Sequence, residues 1–151
     1  MTENLIEGLI VTPLKQISLE KGDVYHGLKQ SETSFKGFAE SYYSFIKYKQ
    51  IKAWKRHKEM ICNIVVPFGI VEFVLYDDRL NSKTISNVNK IILGPDNYLR
   101  ITIPPGIWYG FRGLVKEESL VHNIADIEHD PLEQENIAID SERIPYTWSK
   151  F

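Results

Sequence analysis

Two segments of the 151-residue chain carry groups able to move protons. One is the basic run Lys52-Ala-Trp-Lys-Arg-His57-Lys58, and the other is Ile101-Thr-Ile-Pro-Pro-Gly-Ile-Trp-Tyr-Gly-Phe111. The second is an apolar strand that passes through Pro104-Pro105-Gly106 into an aromatic stretch containing Tyr109. An imidazole titrates near neutrality and serves as a general base, while a phenol donates or accepts a hydrogen bond. Side chains on a strand alternate between faces, so the companions of His57 at period two are Lys55 and Glu59. That set supplies at most two metal ligands, His57 and Glu59, where a transition metal wants three or four. The expectation is a site with no metal and no cofactor, performing acid–base chemistry on a carbonyl compound.

The bulk properties leave room for such a site and exclude other classes. A formal charge of −2 gives the molecule no overall field for nucleic acid or an anionic membrane surface. Hydrophobic content of 43% and aromatic content of 12% exclude a disordered chain. Cys62 is the lone cysteine, which rules out an internal disulfide and agrees with a reducing compartment. Met1-Thr-Glu-Asn is not basic and leads into no long apolar run, so no signal peptide is expected. The apolar stretch from Ile61 to Leu75 is interrupted by Asn63, Pro67, Gly69 and Glu72, too often to span a bilayer. We expect a soluble, cytoplasmic protein forming one domain over residues 1–151, with no nucleic-acid or membrane partner.

Short segments rich in Val, Ile, Phe and Tyr recur along the chain, separated by Gly, Pro, Asn and Asp. They predict strands near Leu5–Leu14, Val24–Leu28, Phe38–Tyr48, Ile51–His57, Ile61–Val66, Val71–Tyr76, Lys90–Leu93, Leu99–Ile103, Trp108–Gly113, Ser119–Ile127 and Arg143–Tyr146. Turn signals about every ten residues argue for a sandwich or barrel. Asp130 as N-cap and Pro131 in the first helical position predict one or two short helical turns over Asp130–Asn136. The predicted fold is all-β, a cupin-type jelly-roll β-barrel. In that fold a Pro-x-Gly turn between strands, downstream of a histidine-bearing strand, helps to build the pocket. Where metal-binding cupins place a glutamate, seven residues before a strand-ending glycine, this chain has Cys62 before Gly69; where they place a further histidine, it has Tyr109.

The order His57, Gly69-Ile-Val-Glu-Phe-Val-Leu-Tyr-Asp77-Asp78-Arg79, Leu99–Phe111 and Ile144-Pro-Tyr-Thr-Trp148 resembles the dTDP-4-dehydrorhamnose 3,5-epimerase family, from about Gly22 to Trp148. The resemblance implies a metal-free homodimer that epimerises a nucleotide-linked 4-keto-6-deoxy sugar. It also implies a histidine base oriented by an aspartate, a lysine that supports the enolate and a tyrosine that supplies the proton. His57 takes the base position, and counting back from Trp148 puts Asp140 at the orienting aspartate. The lysine position holds Cys62, so Asn63, Lys55 or a neighbour must stabilise the enolate. The acid position is His122, or Asn123 after a one-residue shift. Tyr109, Arg79, Glu40 and His26 complete the expected surroundings of the sugar and diphosphate, with Arg79 alternatively pairing to Asp77 or Asp78 to hold a turn. Alternation along the basic run puts Lys49, Lys55 and His57 near one face, and Lys52, Arg56 and Lys58 near the other.

The expected function is therefore an epimerase acting on a nucleotide sugar, in deoxy-sugar and surface-polysaccharide biosynthesis. A sugar 3,4-ketoisomerase and a non-catalytic nucleotide-sugar-binding cupin are the competing readings.

Overall fold

A computed structural model describes residues 4–150. Twelve strands run through them in the order β1 (Ile10–Pro13), β2 (Gln16–Ile17), β3 (Val24–Tyr25), β4 (Glu40–Ile46), β5 (Ile51–His57), β6 (Cys62–Phe68), β7 (Val71–Asp77), β8 (Val88–Leu93), β9 (Leu99–Ile103), β10 (Ile107–Gly113), β11 (Ser119–Ala125) and β12 (Gln134–Asn136). Two five-stranded antiparallel sheets, ordered β1-β9-β6-β11-β4 and β12-β5-β10-β7-β8, form the jelly roll, with β2-β3 as a small ribbon. Among the described residues no helix is long and apolar enough to cross a membrane.

Strand parity builds two apolar layers. Ile64, Val66, Phe73, Leu75, Tyr109, Phe111 and Val121 enter the core between the sheets. The alternate residues Trp54, Val74, Tyr76 and Trp108 form a second cluster with Ile144, covered by Ile137, Tyr146 and Trp148 from the C-terminal segment. The second sheet is thus covered on both faces, which is why β7 and β10 are buried along their whole length. Each fully buried Leu or Phe contributes about 1.5–3 kcal/mol.

Two expected elements differ. The segment from Asp130 makes one turn, in which the N–H of Leu132 donates to Asp130 Oδ1 at 2.9 Å and that of Glu133 to the Asp130 carbonyl at 3.1 Å. Gln134, Glu135 and Asn136 then pair with His57, Arg56 and Lys55 as β12, rather than continuing a helix. The open edge of β5 offers this stretch a ladder of backbone partners that a helical turn would leave unused. The stretch expected as a strand at Arg143–Tyr146 instead crosses the outer cluster as turn and irregular chain, its Ile144 buried there.

One irregularity positions the site. On the β10–β5 ladder Tyr109 pairs with Lys55 and Phe111 with Lys52, so Ala53 and Trp54 together face Gly110. This is a β-bulge. Gly110 permits it, because a Cβ there would stand 2.5 Å from the Cβ of Ala53.

Candidate active site

His57 ends β5 and is 3% exposed. A carboxylate can only accept, so His57 Nδ1–H donates to Glu133 Oε1. Glu133 arrives on the turn before β12, and its other oxygen, Oε2, accepts the backbone N–H groups of Glu59 and Met60, each at 3.0 Å. The lone pair on His57 Nε2 is left facing the hydroxyl of Tyr109, 3.3 Å away. Burial holds the imidazole below its ordinary value of 6.5, against the opposing pull of Glu133. Burial also pushes the Glu133 carboxyl upward, but its hydrogen bonds from His57, Glu59 and Met60 outweigh this and hold it below 4.5. The pair is therefore neutral imidazole beside carboxylate at neutral pH, the state a general base requires.

A cavity of about 390 Å³ opens between the sheets, walled by Tyr42, Lys52, Lys55, Tyr109 and Asn123, with apolar side chains behind them. His57 meets this space through Tyr109. The bulge brings Lys52 onto the same wall as Lys55, which alternation had placed on opposite faces. Lys52 Nζ is tied to Ser44 Oγ at 2.9 Å and to the Phe45 carbonyl at 2.8 Å. The Lys55 ammonium makes no hydrogen bond or ion pair within the described residues, and so is available to a developing negative charge or an anionic ligand. Tyr42 on β4 and Asn123 on β11 stand opposite each other in register, and Asn123 Nδ2 donates to the Tyr42 oxygen at 2.8 Å. Burial raises both phenols, Tyr109 well above 10 and Tyr42 less so. Burial likewise pushes the Cys62 thiol up to about 12. It stays a protonated thiol beside Tyr109 and Asn123 rather than a nucleophile. No three His, Cys, Asp or Glu side chains gather into a metal-sized group among the described residues.

Of the residues singled out in the sequence, His57, Lys55 and Tyr109 come together here. Asp140 does not. It lies on the C-terminal segment and borders a separate depression with Ser141, Tyr146 and Trp148, and Glu133 stands at the imidazole instead. His122 points away from the cavity: it is 2.6 Å from Ser41 Oγ and stacks on Tyr43 at 4.4 Å between centroids. Its neighbours Val121 and Asn123 occupy the inward positions, so the one-residue shift to Asn123 describes this strand. Asn63 also faces outward, accepting from Thr102 Oγ1 at 2.7 Å and donating to the Ser34 carbonyl at 3.5 Å.

Three further residues serve turns and loops. Arg79 takes the turn-holding alternative: its Nε and Nη2 each donate to the Asp77 carboxylate at 2.9 Å, and Nη2 also reaches the Glu7 carbonyl. His26 is away from the cavity and offers its carbonyl to the Tyr98 hydroxyl at 2.7 Å. Glu40 accepts the His129 N–H at 2.6 Å, at the outer end of β4.

Glu133 and Tyr42 escaped sequence reasoning, and Lys52 was assigned to the wrong face. Glu133 had a signal, since Asp-Pro-Leu-Glu ends a turn with a carboxylate just before a polar strand. Gly110 also had one: an isolated glycine within a strand marks a bulge. Nothing distinguished Tyr42 from Tyr43.

Comparison with known proteins agrees with this architecture. No family model matches the chain. It is 40% identical, with a TM-score of 0.92, to the crystal structure of a dTDP sugar isomerase from Desulfovibrio desulfuricans, over 95% of this chain and 92% of that one. A dTDP-4-dehydrorhamnose 3,5-epimerase from Sulfolobus tokodaii superposes with a TM-score of 0.79 at 26% identity, covering 90% of this chain and 80% of that one. A probable low-salt glycan biosynthesis epimerase of Haloferax volcanii is 38% identical over 111 residues, which span 70% of this chain and 65% of that relative. Shared sequence over nearly the full length of a solved relative, on the same jelly roll, shows that this chain belongs to the family of dTDP-sugar epimerases and isomerases.

Proposed function

We propose that the protein removes the proton next to the ketone of a dTDP-linked 4-keto-6-deoxy sugar, as an epimerase supplying deoxy-sugars to glycan assembly. The observation that carries this reading is the buried His57–Glu133 pair meeting Tyr109 at a cavity edged by Lys55. Neutral His57 takes the proton through Nε2, and the Glu133 carboxylate stabilises the imidazolium that forms. The electron pair left on carbon moves to the ketone oxygen, where Lys55 offers a charge already in place. The Tyr109 hydroxyl stands between Nε2 and the cavity, so the transfer requires the sugar to take its place beside the imidazole. Lys52 and Lys55 supply positive charge for the diphosphate. The likeness to a dTDP sugar isomerase favours a second reading, a 3,4-ketoisomerase, which starts with the same abstraction and moves the carbonyl.

Incubation with dTDP-4-keto-6-deoxyglucose in deuterated water tests the proposal. Deuterium entering C3 or C5, and its loss in a His57→Asn variant, is the expected result; a parent protein that exchanges neither position defeats it. Product NMR separates the inverted sugar from the shifted ketone.

We further propose a homodimer in the cytoplasm. Phe45, Leu120 and Phe68 align in one row across β4, β11 and β6, and Phe45 and Phe68 are 57% and 59% exposed, an apolar face suited to a second copy. Sedimentation measures the assembly. The free thiol of Cys62 accords with a reducing compartment.

A further inference from the structure

We propose that Tyr42, oriented by Asn123, is the acid that returns a proton to the enolate carbon. This rests on the abstraction reading above and assigns its second half. His57 and Tyr109 belong to the sheet containing β5 and β10, whereas Tyr42 and Asn123 belong to the facing sheet, on β4 and β11. The cavity lies between them, walled by Tyr109 on one side and by Tyr42 and Asn123 on the other. A carbon deprotonated from the first wall and reprotonated from the second is inverted.

The two residues form a directed unit. Asn123 Nδ2 donates to the Tyr42 oxygen, so the phenol's own hydrogen has no acceptor within the described residues and is free for the cavity. Asn123 Oδ1 is buried without a partner, on a residue 4% exposed in the cavity wall. An orphaned buried acceptor is costly unless a ligand donates to it, and a sugar hydroxyl is the matching group. His122 faces outward and the amide of Asn123 has no acidic proton, which leaves Tyr42 as the acid on this wall. Burial keeps the phenol protonated until it is used.

The step balances. The enolate's electron pair forms a new C–H bond with the hydroxyl hydrogen of Tyr42, the O–H bond breaks, and the ketone is restored. The resulting phenolate recovers a proton from water, and the imidazolium of His57 loses one to water.

The test compares the parent with Tyr42→Phe and Asn123→Ala in deuterated water, using dTDP-4-keto-6-deoxyglucose, with folding checked by thermal melting. Two quantities are read: deuterium in recovered substrate, and product, whether inverted sugar or shifted ketone. In Tyr42→Phe, deuterium still enters the substrate through His57 while product falls by about 10²–10³-fold. Asn123→Ala shows the same split, with a loss of about tenfold. A Tyr42→Phe variant that makes product at the parental rate overturns the assignment, as does one that loses exchange and product together. A parent with neither exchange nor product overturns the abstraction reading and this assignment with it. A His122→Gln control keeps both readouts.

Discussion

Tyr109 stands directly opposite Lys55 on the β10–β5 ladder, and one step later the two strands fall out of register around Gly110. The phenol that meets the imidazole and the ammonium without a protein partner are therefore a cross-strand pair. Their spacing is set by backbone hydrogen bonds, and the bulge beside them turns a second lysine toward the same space.

The acid–base pair predicts a sharp contrast between two carboxylates. Glu133→Gln leaves His57 without a negative partner and lowers turnover by about 10²–10⁴-fold, the range seen when an orienting carboxylate is neutralised. Asp140→Asn, on the outer segment, stays within twofold of the parent. Steady-state assays on the two variants check this; equal losses would put the orienting role back on Asp140.

The protonation state of His57 predicts a pH profile. Its value is depressed in the folded protein, so the basic form persists below pH 6.5 and the acid limb of kcat/KM lies below that of a free histidine. The same depression works on stability. Between the folded value and 6.5 the unfolded chain binds the proton and the folded chain does not, so stability falls as pH drops through this window. Urea titrations at pH 7 and pH 5, beside a His57→Gln variant with a flatter dependence, measure it.

Lys55→Met removes the charge offered to the enolate while keeping the length of the side chain. Turnover falls by about 10²-fold, with thermal stability close to the parent's, since Lys55 makes no internal ion pair. A variant with unchanged kcat would remove Lys55 from the mechanism.

Gly110→Ala forces a methyl group to within 2.5 Å of Ala53 Cβ, on a backbone held by both neighbouring strands. Relief requires β5 to move outward, at a cost of about 1–3 kcal/mol. Both lysines move with it, so turnover falls even in molecules that remain folded. Denaturant midpoints and activity at saturating substrate separate the two effects.

Arg79→Ala leaves the Asp77 carboxylate fully buried and without its cation. Besides the guanidinium, Asp77 retains the hydroxyls of Ser82 and Thr84, and the loss of the ion pair destabilises by about 3 kcal/mol. Kinetic constants of the folded fraction stay near parental values, because Arg79 lies beneath the Pro104-Pro105-Gly106 turn, in contact range of any Cβ placed at Gly106, and outside the cavity.

Much of this organisation was legible in the chain. Short segments rich in Val, Ile, Phe and Tyr and evenly spaced turns specified most of the strands, and the Pro-Pro-Gly turn marked the strand that brings Tyr109 to the pocket. Three matters were not legible, each for a physical reason. Asn63 and His122 sit one residue from inward positions, and a one-residue change of parity moves a side chain to the opposite face. Tyr42-Tyr43 alternates aromatic with aromatic, so hydrophobicity could not choose the inward ring; the stack of Tyr43 on His122 outside and the bond of Tyr42 to Asn123 inside decide it. The turn that ends in Glu133 left a local signal, but its partner did not: the contact with His57, 76 residues away along the chain, depends on the edge pairing of β12 with β5, which local propensity does not report.

The delivery of Glu133 just ahead of an edge strand ties catalysis to the outer layer. Its reach to His57 is fixed by the β12–β5 ladder and by two amide donors upstream, before the chain ever turns onto the outer layer. The ladder continues one step past β12, where Ile137 and Trp54 exchange backbone hydrogen bonds at 3.2 Å, so the segment that delivers Glu133 is continuous with the one that covers Trp54 and Trp108. A change of length between Glu133 and Ile137 would therefore slip the carboxylate off the imidazole and the aromatic cover off its sheet in one stroke.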